Sequence, residues 1–444
     1  MLKKSGAYMV LDRILSTAGS LDMQVILKGE NQELTRFAGS EIHQNVASDE
    51  LEAEITLHKD GRELKVTTND FDNDSLRKLV KEAGQRLMEL PESERVKSFI
   101  SEPADISSDN YFKELEREFN IENRAQKLKA AFGELDSDLN AAGSLELNQN
   151  FMALGNTNGI TRYSRLDKVD FKTVITEQSG ATGYAAAISN RAEDIDIGKE
   201  FKRAADKARD SRDAIEIEPG EYDVILEPAA VGGLISYLSY IGFSGRSVQE
   251  GMSFLADRLG EQVFGDNITL VDDCQDPNTI DFPFDFQGAK RQKLNIIENG
   301  VAKELAYDLE SARKAGVETT GHSVGDPSVG GFPLHLVMAN GEAELGEMIA
   351  GTEKGLLITR FHYINVINPR KAILTGLTRD GTFLIENGRV KAPVKNLRFT
   401  QNIVESLNQV EAISSSREKV GGFYGYMYLP ALKVNGFNFT GVSK

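Results

Sequence analysis

The chain is short of the residues that most often hold metals, disulfides or nucleic acids. Of its 444 residues one is cysteine, five are histidine and none is tryptophan. The single Cys274 excludes an internal disulfide framework and suits a reducing compartment. Basic charge is scarce too: 51 Lys and Arg stand against 68 Asp and Glu, a net charge of −17. A phosphate-binding surface needs clustered Lys and Arg, so nucleic acid is not an expected partner. Basic peptides or basic partners are tolerated better, by long-range attraction. No apolar run approaches the roughly 20 residues that cross a bilayer. Leu226 to Phe243 comes nearest, and Glu227, Pro228 and several Gly and Ser break it. Lys3-Lys4 leads into a mixed segment rather than an apolar one, so no secretory leader is expected. These absences together predict a soluble, cytoplasmic protein with no membrane partner.

What is present fills two or three domains of ordinary size. Residues 7–18 read as a helix and Asp22–Lys28 as a strand. Leu51–Thr68 reads as a hairpin turned at Asp60-Gly61, a pair that supplies the positive φ angles of a type I′ turn. Asp74–Leu90 is an amphipathic helix stopped by Pro91. Residues 92–110 are polar and read as a loop. Tyr111–Leu135 is helical with a break near Asn120. Strands follow at Leu145–Asn156, Gly159–Leu166 and Phe171–Glu177, and Asp194–Arg212 reads as a charged helix with a solvated outer face. Glu216-Ile217-Glu218-Pro219-Gly220 marks the boundary between residues 1–215, an N-terminal α/β domain, and residues 221–444, a β-rich domain. In the second part Asn299-Gly300 and Asn387-Gly388 each predict a hairpin. Ala343–Ala350 is a short helix, and Leu356–Thr359, Ala372–Thr378 and Phe423–Leu432 are strands. Pairing of strands from the last eighty residues with those near residue 225 would close the β-rich domain.

Several tags recur in order between Tyr222 and Arg313: Leu259-Gly260-Glu261-Gln262-Val263, Phe284-Asp285 before Gly288, Glu298-Asn299-Gly300, and Ser311-Ala312-Arg313-Lys314 leading into Thr320-Gly321. On these residues the chain resembles the TldD/PmbA (TldD/TldE, modulator of DNA gyrase) metallopeptidase family. The resemblance implies an α+β fold, with an N-terminal α/β domain and a C-terminal β-rich domain. In the TldD branch a helix in this region carries H-E-x-x-x-H, which binds a metal that lowers the pKa of bound water. Aligned on Pro228 and Leu259-Gly260-Glu261, that box falls on residues 236–241. Ser236 and Ile241 stand where the histidines would be, and Tyr237 where the Glu would be. No H-E-x-x-x-H occurs anywhere in the chain. Neutral Ser and Tyr are poor ligands and Ile is none. Ile235, Leu238 and Ile241 recur at spacing three, so the segment reads as a buried helix.

The resemblance therefore points to the TldE/PmbA-like branch. It implies a subunit of a two-component cytoplasmic metallopeptidase acting on short or unfolded peptides. This chain would bind no cofactor itself, zinc being expected on a TldD-type partner. A dimer with that partner or with itself is implied. Alternatives are a stand-alone divergent peptidase with ligands from His322, His335 or His362, and a non-catalytic homodimeric peptide-binding protein.

Other patterns carry less. Phe284, Asp285 and Phe286 form an aromatic loop with a carboxylate, suited either to anchoring the loop or to contacting peptide. Asp272-Asp273, Asp276 and Asp281 crowd the same region without calcium-loop spacing. Gly321-His322-Ser323-Val324-Gly325 matches G-x-S-x-G, but no strand precedes it and Asp326-Pro327 follows, against a nucleophile elbow. Ser179–Tyr184 lacks the phosphate-loop pattern. His58 alternates within a hairpin strand and reads as a surface or edge residue, and Cys274 as structural.

Overall fold

Turn chemistry and alternation build the first half around one twisted sheet. The computed structural model describes residues 2–93, 98–101, 106–423 and 425–442. Helix α1 (Lys4–Leu15) leads into β1 (Asp22–Ala38), β2 (Glu41–Lys59) and β3 (Arg62–Thr68), then α2 (Asn73–Leu87). At the predicted turn Asp60 and Gly61 have φ of 48° and 72°, and Lys59 faces Arg62 across it. The Asp72 side chain accepts from Asp74 N and Ser75 N and starts α2. Within 92–110, the segments 94–97 and 102–105 lie outside the described residues, and Ile106–Ser108 is not loop but strand β4. Helices α3 (Lys113–Glu118) and α4 (Ile121–Gly133) flank Asn120, whose side chain caps α4. Strands β5 (Leu139–Asn156), β6 (Thr161–Arg165), β7 (Lys168–Glu177) and β8 (Thr182–Ser189) complete the sheet before α5 (Ile197–Asp210).

Among the described residues the order is β3-β2-β1-β5-β6-β4, with β7 on β5 and β8 on β7. One stretch of this sheet packs on α1 and α2 through Met23, Val25, Leu27, Leu11 and Val80. Another packs on α4 and α5 through Phe171, Leu145, Leu128 and Phe201. The opposite face of β1, at Ile26, meets Phe282 and Phe284 of the second half.

The second half opens with β9 (Gly220–Leu226), α6 (Pro228–Gly242) and α7 (Gly245–Gln249). It continues through β10 (Leu270–Asp272), β11 (Leu294–Glu298), β12 (Val301–Ala302), α8 (Leu309–Ala315), β13 (Leu336–Met338) and α9 (Leu345–Ala350). It ends with β14 (Lys354–Asn368), β15 (Ile373–Glu386), β16 (Arg389–Pro393), β17 (Leu397–Asn402), α10 (Ile403–Asn408), β18 (Val410–Gly421) and β19 (Tyr426–Val442). The Asn-Gly pairs sit at the β11–β12 and β15–β16 turns with φ of 48°/76° and 51°/73°. Strand β9 runs parallel to β14, Leu226 beside Ile358, and antiparallel to β19, Leu226 beside Leu432. With the β14–β15, β15–β17 and β17–β19 pairings this closes a ring, as strand patterning near residue 225 predicted.

Helix α6 is the ring's apolar plug. Pro228 occupies its first turn, and Ala230, Val231, Leu234, Ile235 and Leu238 are buried in the main core. Gly232 permits the contact with β18: a Cβ there would lie 2.5 Å from Val420 Cγ1.

Candidate functional site

The helix aligned with the metal box borders a cavity of about 470 Å³ between the two halves. One wall comes from α6: Ala229, Gly232, Gly233 and Ser236. The facing wall is the N-terminal sheet. Lys168, Asp170 and Lys172 alternate on β7 toward the cavity, while Val169 and Phe171 point into the core. Across the ladder β8 contributes Tyr184, Ala186 and Ile188. Strand β18 closes a third side with Glu418, Lys419, Val420 and Gly421. Among the described residues β8 pairs only with β7, and β18 pairs with β19 and is bridged at Ser414 by Ala343, so the β8 edge and the Glu418–Gly421 end of β18 meet this space, one from each sheet. Lys419 Nζ joins them, donating to Ser189 Oγ at 2.8 Å and pairing with Asp194 at 2.7 Å.

The cavity is lined with charge that the sequence did not advertise. Helix α5, read as charged with a solvated outer face, buries Phe201, Ala204 and Ala208 and turns two of its charges, Arg203 and Lys207, inward. Glu227, 5% exposed, precedes Pro228 and accepts from Lys207, with Arg203 3.7 Å away. Burial lowers the Lys207 pKa, against the pull of Glu227. Arg203 reaches Glu418 at 2.9 Å, and despite burial Glu418 and Glu227 hold its pKa above the ordinary value. Arg360 on β14 gives Nε to Asp380 at 2.7 Å and stacks its guanidinium over Tyr184 at 4.1 Å. Arg203 and Lys207 are four apart and so share one face of α5, but spacing alone does not say that this face is turned inward.

The three box positions are placed as follows. Ser236 lines the cavity, with Oγ 3.8 Å from Met427 Sδ. Tyr237 donates its hydroxyl to the Ile364 carbonyl at 2.5 Å. Ile241 is buried in the core. A hydroxyl beside a thioether, a phenol committed to a carbonyl and an alkyl chain do not fit a zinc ion, which takes imidazole, thiolate or carboxylate. Among the described residues no group of three or more His, Cys, Asp and Glu is arranged to hold a metal ion.

The histidines divide. His322 and His335 converge on Asp272: His322 Nε2 lies 3.2 Å from Oδ1, and the His335 backbone N donates to Oδ2 at 2.7 Å. Asp272 and His322 are wholly buried. Burial would raise the Asp272 pKa, but hydrogen bonds from both histidines outweigh it and hold the carboxyl well below its usual range. Burial pushes the pKa of both imidazoles down. The His322 ring contacts the carboxylate, whereas His335 reaches it through its backbone N–H, its ring Nδ1 staying 3.7 Å away. His362 lies apart on β14, opposite Leu377. His58 is not an edge residue: it is 8% exposed, stacked on Phe99 at 4.0 Å and bonded to Glu63 at 2.7 Å.

Phe284 and Asp285 are fully buried. Asp285 organises its loop, accepting from Gln287 N, Ala289 N and Ser323 N at 2.9 Å each. Phe286 lines a second cavity, of about 510 Å³, together with His58, Glu63, Arg313 and Ser323. Ser323 bridges Gly331 in extended backbone, and the next described helix begins only at Leu345. Burial pushes the Cys274 thiol up to about 12, which keeps it protonated. Asp273 pairs with Lys293, and Asp281 accepts from Ser108 and Asn110, so the acidic run is dispersed over separate tasks.

Residues 219–441, half of the chain, match the PmbA/TldA metallopeptidase C-terminal domain. The chain belongs to the PmbA/TldD metallopeptidase family. Metalloprotease PmbA of Escherichia coli O157:H7 is 24% identical over 66% of this chain and 64% of its own length. The Metalloprotease PmbA homolog of Haemophilus influenzae is 28% identical over 49% and 46%. The chain thus spans less than two thirds of the length of these relatives. The crystal structure of TldE from Thermococcus kodakarensis superposes with a TM-score of 0.83 at 21% identity, covering 97% of this chain and 100% of that one. That likeness establishes the α+β, two-sheet fold of the family over nearly the whole chain. Among the described residues no helix is long and apolar enough to cross a membrane.

Proposed function

We propose that this chain is the TldE/PmbA-like subunit of a two-component cytoplasmic peptidase, and that it carries no catalytic metal of its own. It completes a chamber with a TldD-type subunit whose H-E-x-x-x-H box holds zinc. An extended peptide lies beside α6 and adds to the exposed edges of β8 and β18, where backbone hydrogen bonds give affinity without demanding a sequence. Phe286 is a second contact, at the neighbouring cavity. The observation that carries this reading is α6 itself: in the box position it turns Ser236 to the cavity, Tyr237 to a carbonyl and Ile241 to the core.

The test has two parts. The purified chain should hold no stoichiometric zinc by elemental analysis and should cleave no unfolded peptide. Adding a family member that bears H-E-x-x-x-H should produce hydrolysis that a chelator abolishes. One tightly held metal per chain, with chelator-sensitive hydrolysis by the chain alone, would overturn the proposal.

The meeting of His322 and His335 on Asp272 is the one feature favouring a stand-alone peptidase. It is sealed from solvent and His362 is remote from it, so replacing the three histidines by Ala should leave partner-dependent hydrolysis by correctly folded protein intact. Loss of that hydrolysis would favour the stand-alone reading. A homodimeric, non-catalytic binding protein would instead bind unfolded peptide and never gain activity from a partner.

A further inference from the structure

The charge lining the α6 cavity runs against the charge of the molecule. The chain carries a net −17, which at long range favours basic ligands. Inside the cavity five cations (Lys168, Lys172, Arg203, Arg360 and Lys419) stand against three carboxylates, Asp170, Glu227 and Glu418. The carboxylates are already committed. Asp170 pairs with Lys172 at 3.1 Å, Glu227 with Lys207 and Arg203, and Glu418 with Arg203 at 2.9 Å. A basic side chain entering the cavity would have to displace one of these partners.

The cations are less fully committed. Lys168 has no ion-pair partner among the described residues. Lys172 leaves about half of its side chain exposed, at 53%, with hydrogens beyond the one given to Asp170. Arg360 spends Nε and Nη2 on Asp380, leaving Nη1. Lys168 and Lys172 project from one face of β7, and Arg360 stands near Tyr184, which lies on β8 opposite Val174. Cationic donors are therefore available from both halves of the protein, in a space within the roughly 300–1,000 Å³ that ligand sites occupy.

From this arrangement, and resting on the reading of the cavity as a peptide chamber, we infer that the α6 cavity selects peptides through a carboxylate. Lys168 and Lys172 on β7 and Arg360 on β14 receive it. The carboxylate comes from the peptide's C-terminus or from an acidic side chain; the two share one chemistry and one set of donors. Selection of this kind would leave the strand edges to bind backbone and would place acidic groups or chain ends beside α6. The long-range field would slow the approach of acidic peptides while the local donors retain them, so binding should weaken with added salt once the peptide is seated.

The experiment measures fluorescence anisotropy of one short, labelled Ala/Ser peptide in four forms with the full chain. The forms are a free C-terminal carboxylate, a C-terminal amide, the amide with one internal Glu, and the amide with one internal Lys. A carboxylate-bearing form should bind about tenfold more tightly than the plain amide, the worth of one charge-assisted hydrogen bond. The K168Q/K172Q double variant should remove most of that advantage, changing the affinity of the carboxylate-bearing forms far more than that of the plain amide. Both side chains lie on the cavity face of β7 rather than in the core, and far-ultraviolet circular dichroism verifies the fold. Preference for the free C-terminus alone assigns the site to chain ends, and preference for the Glu peptide alone assigns it to acidic side chains; either supports the inference. Equal affinities for all four forms, or tighter binding of the Lys peptide, would overturn it while the chamber reading stands. Failure of every form to bind, with or without a TldD-type partner, would remove the chamber reading and this inference with it.

Discussion

Two clusters of ionisable groups differ in one respect, access to solvent. Around Asp272 the groups are sealed: His322 and Asp272 are wholly buried, and the carboxylate's hydrogen bonds come from within the protein. Beside α6 the same kinds of groups surround about 470 Å³ of space, and Lys172 is half exposed. Histidines and an aspartate in contact look more like chemistry than a row of lysines does. Yet a sealed cluster can only hold the fold together, whereas the open one can exchange partners. Access, more than residue type, separates a site from a strut.

The sharpest way to break this comparison is to remove the sealed carboxylate. Asp272→Asn leaves two buried imidazoles and the His335 amide facing a group that no longer carries charge. The expected loss of stability is about 3 kcal/mol, because the amide keeps one acceptor oxygen and turns an NH2 toward a buried donor, weakening two hydrogen bonds to a charged group. Chemical denaturation measures it. Peptide affinity of the folded fraction should not change; a loss of affinity at unchanged stability would make the cluster part of the site.

Next in size is a pH effect. Burial raises the Asp285 pKa to about 6, against the backbone N–H groups and Arg291 that favour its ionised form. The unfolded chain gives up this proton near the ordinary 3.8. Below about pH 4 both states are protonated and there is no penalty. Between about 4 and 6 the folded state keeps the proton longer, so stability falls as pH rises, and above 6 the penalty is constant. At 1.36 kcal/mol per unit the whole effect is at most about 3 kcal/mol. Asp167 and Glu200 are also raised by burial, while Asp272, Glu63, Asp194 and the buried histidines are shifted down and act in the opposite sense, so the wild-type slope sums many groups. Asp285→Asn isolates one: the stability of the variant relative to wild type should rise between about pH 4 and 6, by at most about 3 kcal/mol, and stay level above that. Identical slopes would refute the assignment.

How much of this was readable beforehand depended on distance along the chain. Asp60-Gly61, Asn299-Gly300 and Asn387-Gly388 announced their hairpins because positive φ is a local demand. Asn120 announced the break between α3 and α4 because a cap is local too. The Ser236–Ile241 helix was legible as buried from its own spacing. The outer part of β2, Glu41–Glu50, was not, since exposed on both faces it shows no alternation. His58 looked like an edge residue because nothing in a hairpin foretells a Phe99 stacked on it from elsewhere. Helix α5 is the most instructive: its outer face is solvated as read, at Lys202 for one, but a second set of its charges is turned inward. Its charges are periodic, as on any solvated helix, and only the opposite wall, Glu227 and Glu418, reveals that Arg203 and Lys207 face inward. The cavity combines residues from β7, β8, α5, α6, β14 and β18, and its charge balance exists only after folding.

A smaller effect should follow from filling the contact that shapes the cavity. Gly232→Ala would set a Cβ 2.5 Å from Val420 Cγ1, so α6 and β18 must part or Val420 must turn. Overpacking of this kind costs about 1–3 kcal/mol. Because Val420 lines the cavity, peptide affinity should drop along with the melting temperature. This is the reverse of the expectation for Asp272, where stability alone moves.

The smallest stability change should come from Glu418→Gln, and it probes the open site most directly. Glu418 meets Arg203 at 2.9 Å with 45% of its side chain exposed, so solvent screens the pair. Exposed pairs of this kind contribute about 0–1 kcal/mol, and the melting temperature should hardly move. The amide still accepts a hydrogen bond from Arg203 but no longer neutralises it, which leaves one more uncompensated cation beside the space. Carboxylate-bearing peptides should therefore bind several-fold more tightly, about the effect of one charge at short range in a partly wet site, and amidated peptides should be unaffected. A substitution that barely touches stability yet tightens one class of ligand is the opposite of what the sealed cluster would do. If Glu418→Gln instead weakened binding of every peptide alike, Arg203 and Glu418 would belong with Asp272 as parts that brace the fold, and the contrast between the two charge clusters would collapse.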